Sequence, residues 1–90
     1  MIYQDSPEYL ECCQITAGYE AAFRRGDRAA VIAIVDAEIA YLEKLPPQTP
    51  MWCRPGNPWV DAGTMLNLAR QRRARYDNTN ARGDRWPYRG

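Results

Sequence analysis

Arg28-Ala29-Ala30-Val31-Ile32-Ala33-Ile34-Val35-Asp36-Ala37-Glu38-Ile39-Ala40-Tyr41-Leu42-Glu43-Lys44-Leu45 is the stretch whose reading decides the fold. Its β-branched run, Val31 to Val35, fits a buried strand or a buried helix equally well by periodicity alone. The residues around the run break the tie. Ala29, Ala30, Ala33, Ala37, Glu38 and Ala40 are strong helix formers at both of its ends, so the stretch reads as one helix. Asp27 stands where an N-cap belongs, and Pro46-Pro47 ends the segment. Val31, Ile32, Ile34, Val35, Ile39, Tyr41 and Leu42 point in many directions, which predicts a central helix covered by other elements or by a partner.

Upstream, Asp5-Ser6-Pro7-Glu8 is a helix start: a side-chain acceptor, a proline without an amide to satisfy, and a carboxylate at the positive dipole end. A helix over 7–25 follows, with Glu11, Gln14, Gly18 and Arg25 on a polar strip. Tyr9, Cys12, Cys13, Thr16, Tyr19 and Phe23 cover much of its other side, and Gly26 offers a left-handed C-cap. Downstream, five prolines between Pro46 and Pro58 predict a stiff loop over 46–57 rather than a ladder or a helix. Met51, Trp52 and Cys53 are too apolar for a free linker, so this loop is expected to lie on the core. Arg54-Pro55-Gly56-Asn57 fits a tight turn with Pro second and Gly third. Asn57-Pro58 repeats the cap-then-proline signal and predicts a third helix over 58–76, with Trp59, Ala62, Met65, Leu66, Ala69 and Tyr76 as its apolar stripe. The expected architecture is all-α: one domain over 1–76, a bundle of about three helices (7–25, 28–45, 58–76), and a basic tail over 77–90.

Ninety residues, 46% of them apolar, suit one small packed domain and exclude the composition of a disordered chain. The net charge of +1 hides a dipole. Residues 70–90 hold seven arginines against Asp77 and Asp84, a net +5, while the rest of the chain carries −4. Cys12, Cys13 and Cys53 are an odd number, and two of them are neighbours, which argues for reduced thiols and a cytoplasmic location. The N-terminal residues lack a signal-peptide pattern, and the longest apolar run, Ala29 to Val35, is far short of a membrane span.

The chain has no histidine, which removes the commonest general base and the Ser-His and Cys-His nucleophile pairs, so no catalytic residue is assigned. Asp36 and Glu43, seven residues apart, read as a solvated strip. Three cysteines without histidine do not make a zinc site, and neither a metal nor a cofactor is expected. The spacing of Ala22, Gly26 and Ile32 imitates part of a helix-turn-helix, but residues 29–35 are all Ala, Val and Ile and present nothing polar to base edges. Arg-Gly-Asp occurs at 25–27 and at 82–84; the first copy reads as a helix stop followed by a new N-cap.

The strong feature is basic and aromatic. Arg70, Arg72, Arg73 and Arg75 lie at the end of the third helix, Arg82, Arg85, Trp86, Tyr88 and Arg89 follow it, and Trp52 stands in the proline-rich loop. Arg, Trp and Tyr dominate interface hot spots. The expectation is a non-catalytic protein–protein interaction module, a small inhibitor or adaptor of the phage or mobile-element (anti-defence) type, docking on a larger host protein or nucleoprotein complex through these residues. Three alternatives stay open: RNA or DNA binding by the same arginines on phosphates, a homodimer formed through the apolar central helix, and a basic end that folds back on the acidic helices of its own or a twin chain.

Overall fold

The computed structural model describes residues 4–56 and 59–81, the last five through their backbone alone. The chain is mostly helical and adds a small sheet. Its elements are β1 (Gln4–Asp5), α1 (Pro7–Ile15), α2 (Tyr19–Arg24), α3 (Arg28–Glu43), β2 (Pro50–Cys53), β3 (Val60–Asp61) and α4 (Ala62–Ala81). The three strands are antiparallel in the order β1-β2-β3.

The stretch that includes Val31–Val35 is helix, not strand. Asp27 caps it by accepting from the Ala30 amide at 3.1 Å, and Gly26 supplies the positive φ of 73° that the preceding turn requires. Val31, Val35, Glu38 and Leu42, spaced by four, three and four, form its buried stripe. Packing of α1, α2 and α4 against α3 makes it the central element, as its apolar character predicts. Two buried clusters share it. Cys12, Leu42, Met51, Ala62 and Ala69 form one; Ala22, Val31, Val35 and Tyr76 form the other.

The first helix is broken, where the sequence predicts one helix over 7–25. Ser6 caps α1 by accepting from the Tyr9 amide. The α1 helix ends at Ile15, and the Thr16 hydroxyl donates back to the Cys12 carbonyl at 3.1 Å. The next amides turn to tighter acceptors, Ala17 to the Gln14 carbonyl and Tyr19 to the Thr16 carbonyl. A β-branched hydroxyl residue that competes for carbonyls, followed by Ala17 and Gly18, does little to carry the helix through this point. The chain resumes as α2 at Tyr19.

The proline-rich segment also departs from the loop predicted over 46–57, because residues 50–53 form the central strand of the sheet. Pro50 stands at the first position of β2, where a missing amide is tolerated, and Met51-Trp52-Cys53 contains no proline. Met51 is fully buried. Its carbonyl accepts the Ser6 amide at 2.9 Å, tying the start of α1 to the strand. Gly56 takes a φ of 82°, the conformation the predicted turn needs at its third residue, while Asn57 and Pro58 lie outside the described residues.

The last helix begins later and runs further than the predicted 58–76. Val60 pairs with Trp52, so the chain is still extended there. The Asp61 carboxylate accepts the Thr64 amide at 2.9 Å and becomes the working cap. That bond holds Asp61 below the usual carboxylate range. The amides of Ala62 and Gly63 are satisfied from outside the helix by the carbonyls of Thr49 and Pro47 at 2.8 and 2.9 Å. Gly63 permits this approach, since a Cβ there would stand 3.3 Å from both the Cβ and the carbonyl oxygen of Pro47. The backbone of 77–81, read as the beginning of the tail, continues α4. No helix among the described residues is long and apolar enough to cross a membrane.

Candidate functional site

The two faces of α4 divide the arginines read from the sequence. Toward α3, Arg70 Nη2 meets Glu43 at 2.8 Å, Arg72 Nη1 meets Glu38 at 3.1 Å, and Arg73 Nε meets Asp36 at 2.8 Å. Two antiparallel helices bring a carboxylate row and a guanidinium row into register. Asp36 and Glu43 are solvent-exposed, as their spacing suggests, but each takes one of the arginines. On the opposite side, Leu68 is 52% exposed, and Arg75 has no ion-pair partner among the described side chains. Thr64, Leu68, Gln71 and Arg75, at spacings of four, three and four, make this outer stripe, and all four are exposed.

Trp52, the other anchor read from the sequence, is half-buried in β2 and packs against the cluster around Met51. The Arg54 guanidinium lies 5.2 Å from its ring centroid and also holds Asp5 at 2.8 Å, so the Trp52 ring is engaged within the fold. Trp59 is more accessible, at 46% exposure. Arg82, Arg85, Trp86, Tyr88 and Arg89 lie outside the described residues.

A residue that sequence reasoning counted only as a helix former turns out to be the buried charge among the described residues. Glu38 is 5% exposed and lies on the buried stripe of α3 between the two apolar clusters. Its Oε1 accepts from Arg72, and the nearest donor to Oε2 is the Cys12 thiol at 3.8 Å. Burial pushes that thiol up to about 12, and the neighbouring carboxylate adds to the effect, so Cys12 stays protonated and acts as a donor rather than a nucleophile. The signal was legible: Glu38 falls at the 31-35-38-42 spacing of the inward stripe.

Glu38 and Arg72 border a cleft of about 480 Å³ whose other walls come from α1, α2 and α4 and the turn between α1 and α2. Tyr9, Cys13, Thr16, Tyr19, Glu20 and Met65 contribute to its walls. The Arg72 guanidinium lies 5.7 Å from the Tyr19 ring centroid, and the Tyr19 hydroxyl is hydrogen-bonded to that of Tyr76. Burial and this bond raise the Tyr76 phenol above its ordinary range. Arg28 reaches the same end of α4, donating to the Tyr76 carbonyl at 3.4 Å.

No protein-family model matches the chain, and no curated protein or solved structure is significantly similar to it.

Proposed function

We propose that this chain is a non-catalytic protein-binding module, an adaptor or inhibitor, that docks on an acidic surface of a larger protein assembly through the outer face of α4 and the Arg-, Trp- and Tyr-containing residues after it. The observation that carries the reading is the division of α4. Arg70, Arg72 and Arg73 neutralise Glu43, Glu38 and Asp36 of the same chain, which leaves Leu68 and Arg75 as an apolar and a cationic group on an uncovered face. Arg75 on that face, with Trp86 and Tyr88 following in the sequence, supplies the residue types of an interface hot spot, and Leu68 adds exposed apolar area beside it. Arg70, Arg72 and Arg73 pass from the docking set to the fold, and Trp52 passes with them because Arg54 covers its ring.

The test is affinity capture from the native host with three forms of the chain: wild type, Leu68→Ser with Arg75→Glu, and Arg70→Ala with Arg73→Ala. A partner retained by the inner-face variant and lost by the outer-face variant supports the reading. Loss only with the inner-face variant overturns it.

A further inference from the structure

We propose that the cleft bounded by α1, α2, α3 and α4 is a binding site for a guanidinium carried on a short alkyl stem. The proposal is separate from docking through the outer face of α4, and either can fail without the other.

The two carboxylate oxygens of Glu38 are unequally supplied with donors. A carboxylate offers about four lone-pair positions, and buried polar groups are normally supplied with hydrogen-bond partners. Here Arg72 serves Oε1, and among the described residues Oε2 has only a thiol at 3.8 Å, the weakest donor in the side-chain inventory. The lining adds a second carboxylate, Glu20, which is exposed at the rim and paired with the equally exposed Arg24. Arg24 meets the Glu20 charge from outside the lining and Arg72 meets that of Glu38, so the least-supplied charged atom in the walls is Glu38 Oε2. A cationic hydrogen-bond donor is therefore preferred over an anion, because the atom short of a strong partner is a carboxylate oxygen.

Shape and surface narrow the cation. The space of about 480 Å³ accommodates a group the size of an arginine side chain with its water. Tyr9 and Met65 supply apolar surface for an alkyl stem, and the Tyr19 ring already carries one guanidinium, that of Arg72. A guanidinium is planar, more weakly hydrated than an ammonium, and has five donors in a fork that suits a carboxylate. An ammonium would lose more hydration for fewer fixed contacts. The break at Thr16–Gly18 makes the site possible, because an unbroken first helix would hold the Tyr9 and Tyr19 segments on one axis.

The experiment titrates the full ¹⁵N-labelled chain with butylguanidinium, a capped Gly-Arg-Gly peptide, its citrulline counterpart and acetate, following amide shifts. Expected are saturable shifts around Thr16–Tyr19, Glu38 and Met65 with both guanidinium probes. The neutral citrulline peptide should bind roughly tenfold more weakly or worse, and acetate should not bind there. Tighter binding of the peptide than of butylguanidinium assigns the site to an arginine of a partner polypeptide; the reverse order assigns it to a small metabolite. Glu38→Gln should weaken binding roughly tenfold. Because that change also touches the Arg72 pair, two further variants keep the test decisive. Met65→Arg should fill the cleft and abolish binding, and Glu20→Gln, at the exposed rim, should weaken it to a smaller extent. Absence of saturable shifts, equal binding of the citrulline peptide, or binding unaffected by Met65→Arg overturns the proposal.

Discussion

The inner and outer faces of α4 carry similar residue types and do different work. Leu68 and Ala69 are neighbours, yet Leu68 is 52% exposed and Ala69 is 1% exposed. Arg72 and Arg75 are three residues apart, yet the first is clamped to a buried carboxylate and the second has no ion-pair partner among the described side chains. What separates them is α3, which lays a carboxylate row and an apolar stripe along one side of α4. A positively charged helix end is thus partly a structural seam and partly a surface, and composition cannot tell which arginine belongs to which.

The largest effect expected from breaking this contrast comes from adjacent aspartates. Ala69→Asp would bury an unpaired charge and should unfold the domain, because that costs several kcal/mol against a stability of about 5–15 kcal/mol. Leu68→Asp should leave stability within about 0.5 kcal/mol of wild type. Urea denaturation followed by circular dichroism measures both, and equal losses would erase the distinction between the faces. The arginine pair gives the next contrast. Arg72→Met strands Glu38 and should cost about 2 kcal/mol, a value held down by the partial exposure of Arg72, whereas Arg75→Met should cost almost nothing.

A pH titration probes the buried seam without mutation. The folded pKa of Cys12 is raised, so its contribution to stability is complete below the ordinary thiol value of about 8.5 and is lost as pH rises toward about 12. One proton limits the slope to about 1.4 kcal/mol per pH unit. Tyr76, raised for the same reason, acts in the same direction at higher pH. Cys12→Ser should remove the early part of this alkaline loss, and an unchanged onset would show that the thiol is not coupled to folding. The smallest effects belong to the exposed pairs. Arg70→Ala and Arg73→Ala should each cost a few tenths of a kcal/mol at low salt and less near 1 M salt, where the Debye length falls to about 3 Å.

Much of the helical framework was legible because its signals are local. Asp27 and Gly26 mark the start of α3 by cap chemistry and positive φ, and Ser6-Pro7 marks the start of α1 in the same way. The helical reading of Val31–Val35 rested on its flanking alanines and holds in the structure. The misses occurred where distant groups overrode local preference. Pro50–Cys53 became a strand because β1 and β3 pair with it from both sides, and α4 waits until Ala62 because carbonyls from Pro47 and Thr49 take its first amides. For the candidate site, the sequence identified the basic cluster but not its internal partners, and it passed over Glu38.

By itself, then, the sequence determined that the chain is mostly helical, where α1 and α3 begin and which residues cap them there, and that positive charge gathers toward one end, because those properties depend on side chains within a turn or two of each other. Tertiary structure alone decided that Arg70, Arg72 and Arg73 answer to Glu43, Glu38 and Asp36, that Arg75 and Leu68 face outward, and that a cleft opens over a buried carboxylate. Those outcomes depend on the approach of α3 and α4, whose ion-paired residues stand 27, 34 and 37 positions apart in the chain. Coulomb and packing energies act on distance in space, which one helix cannot specify for another.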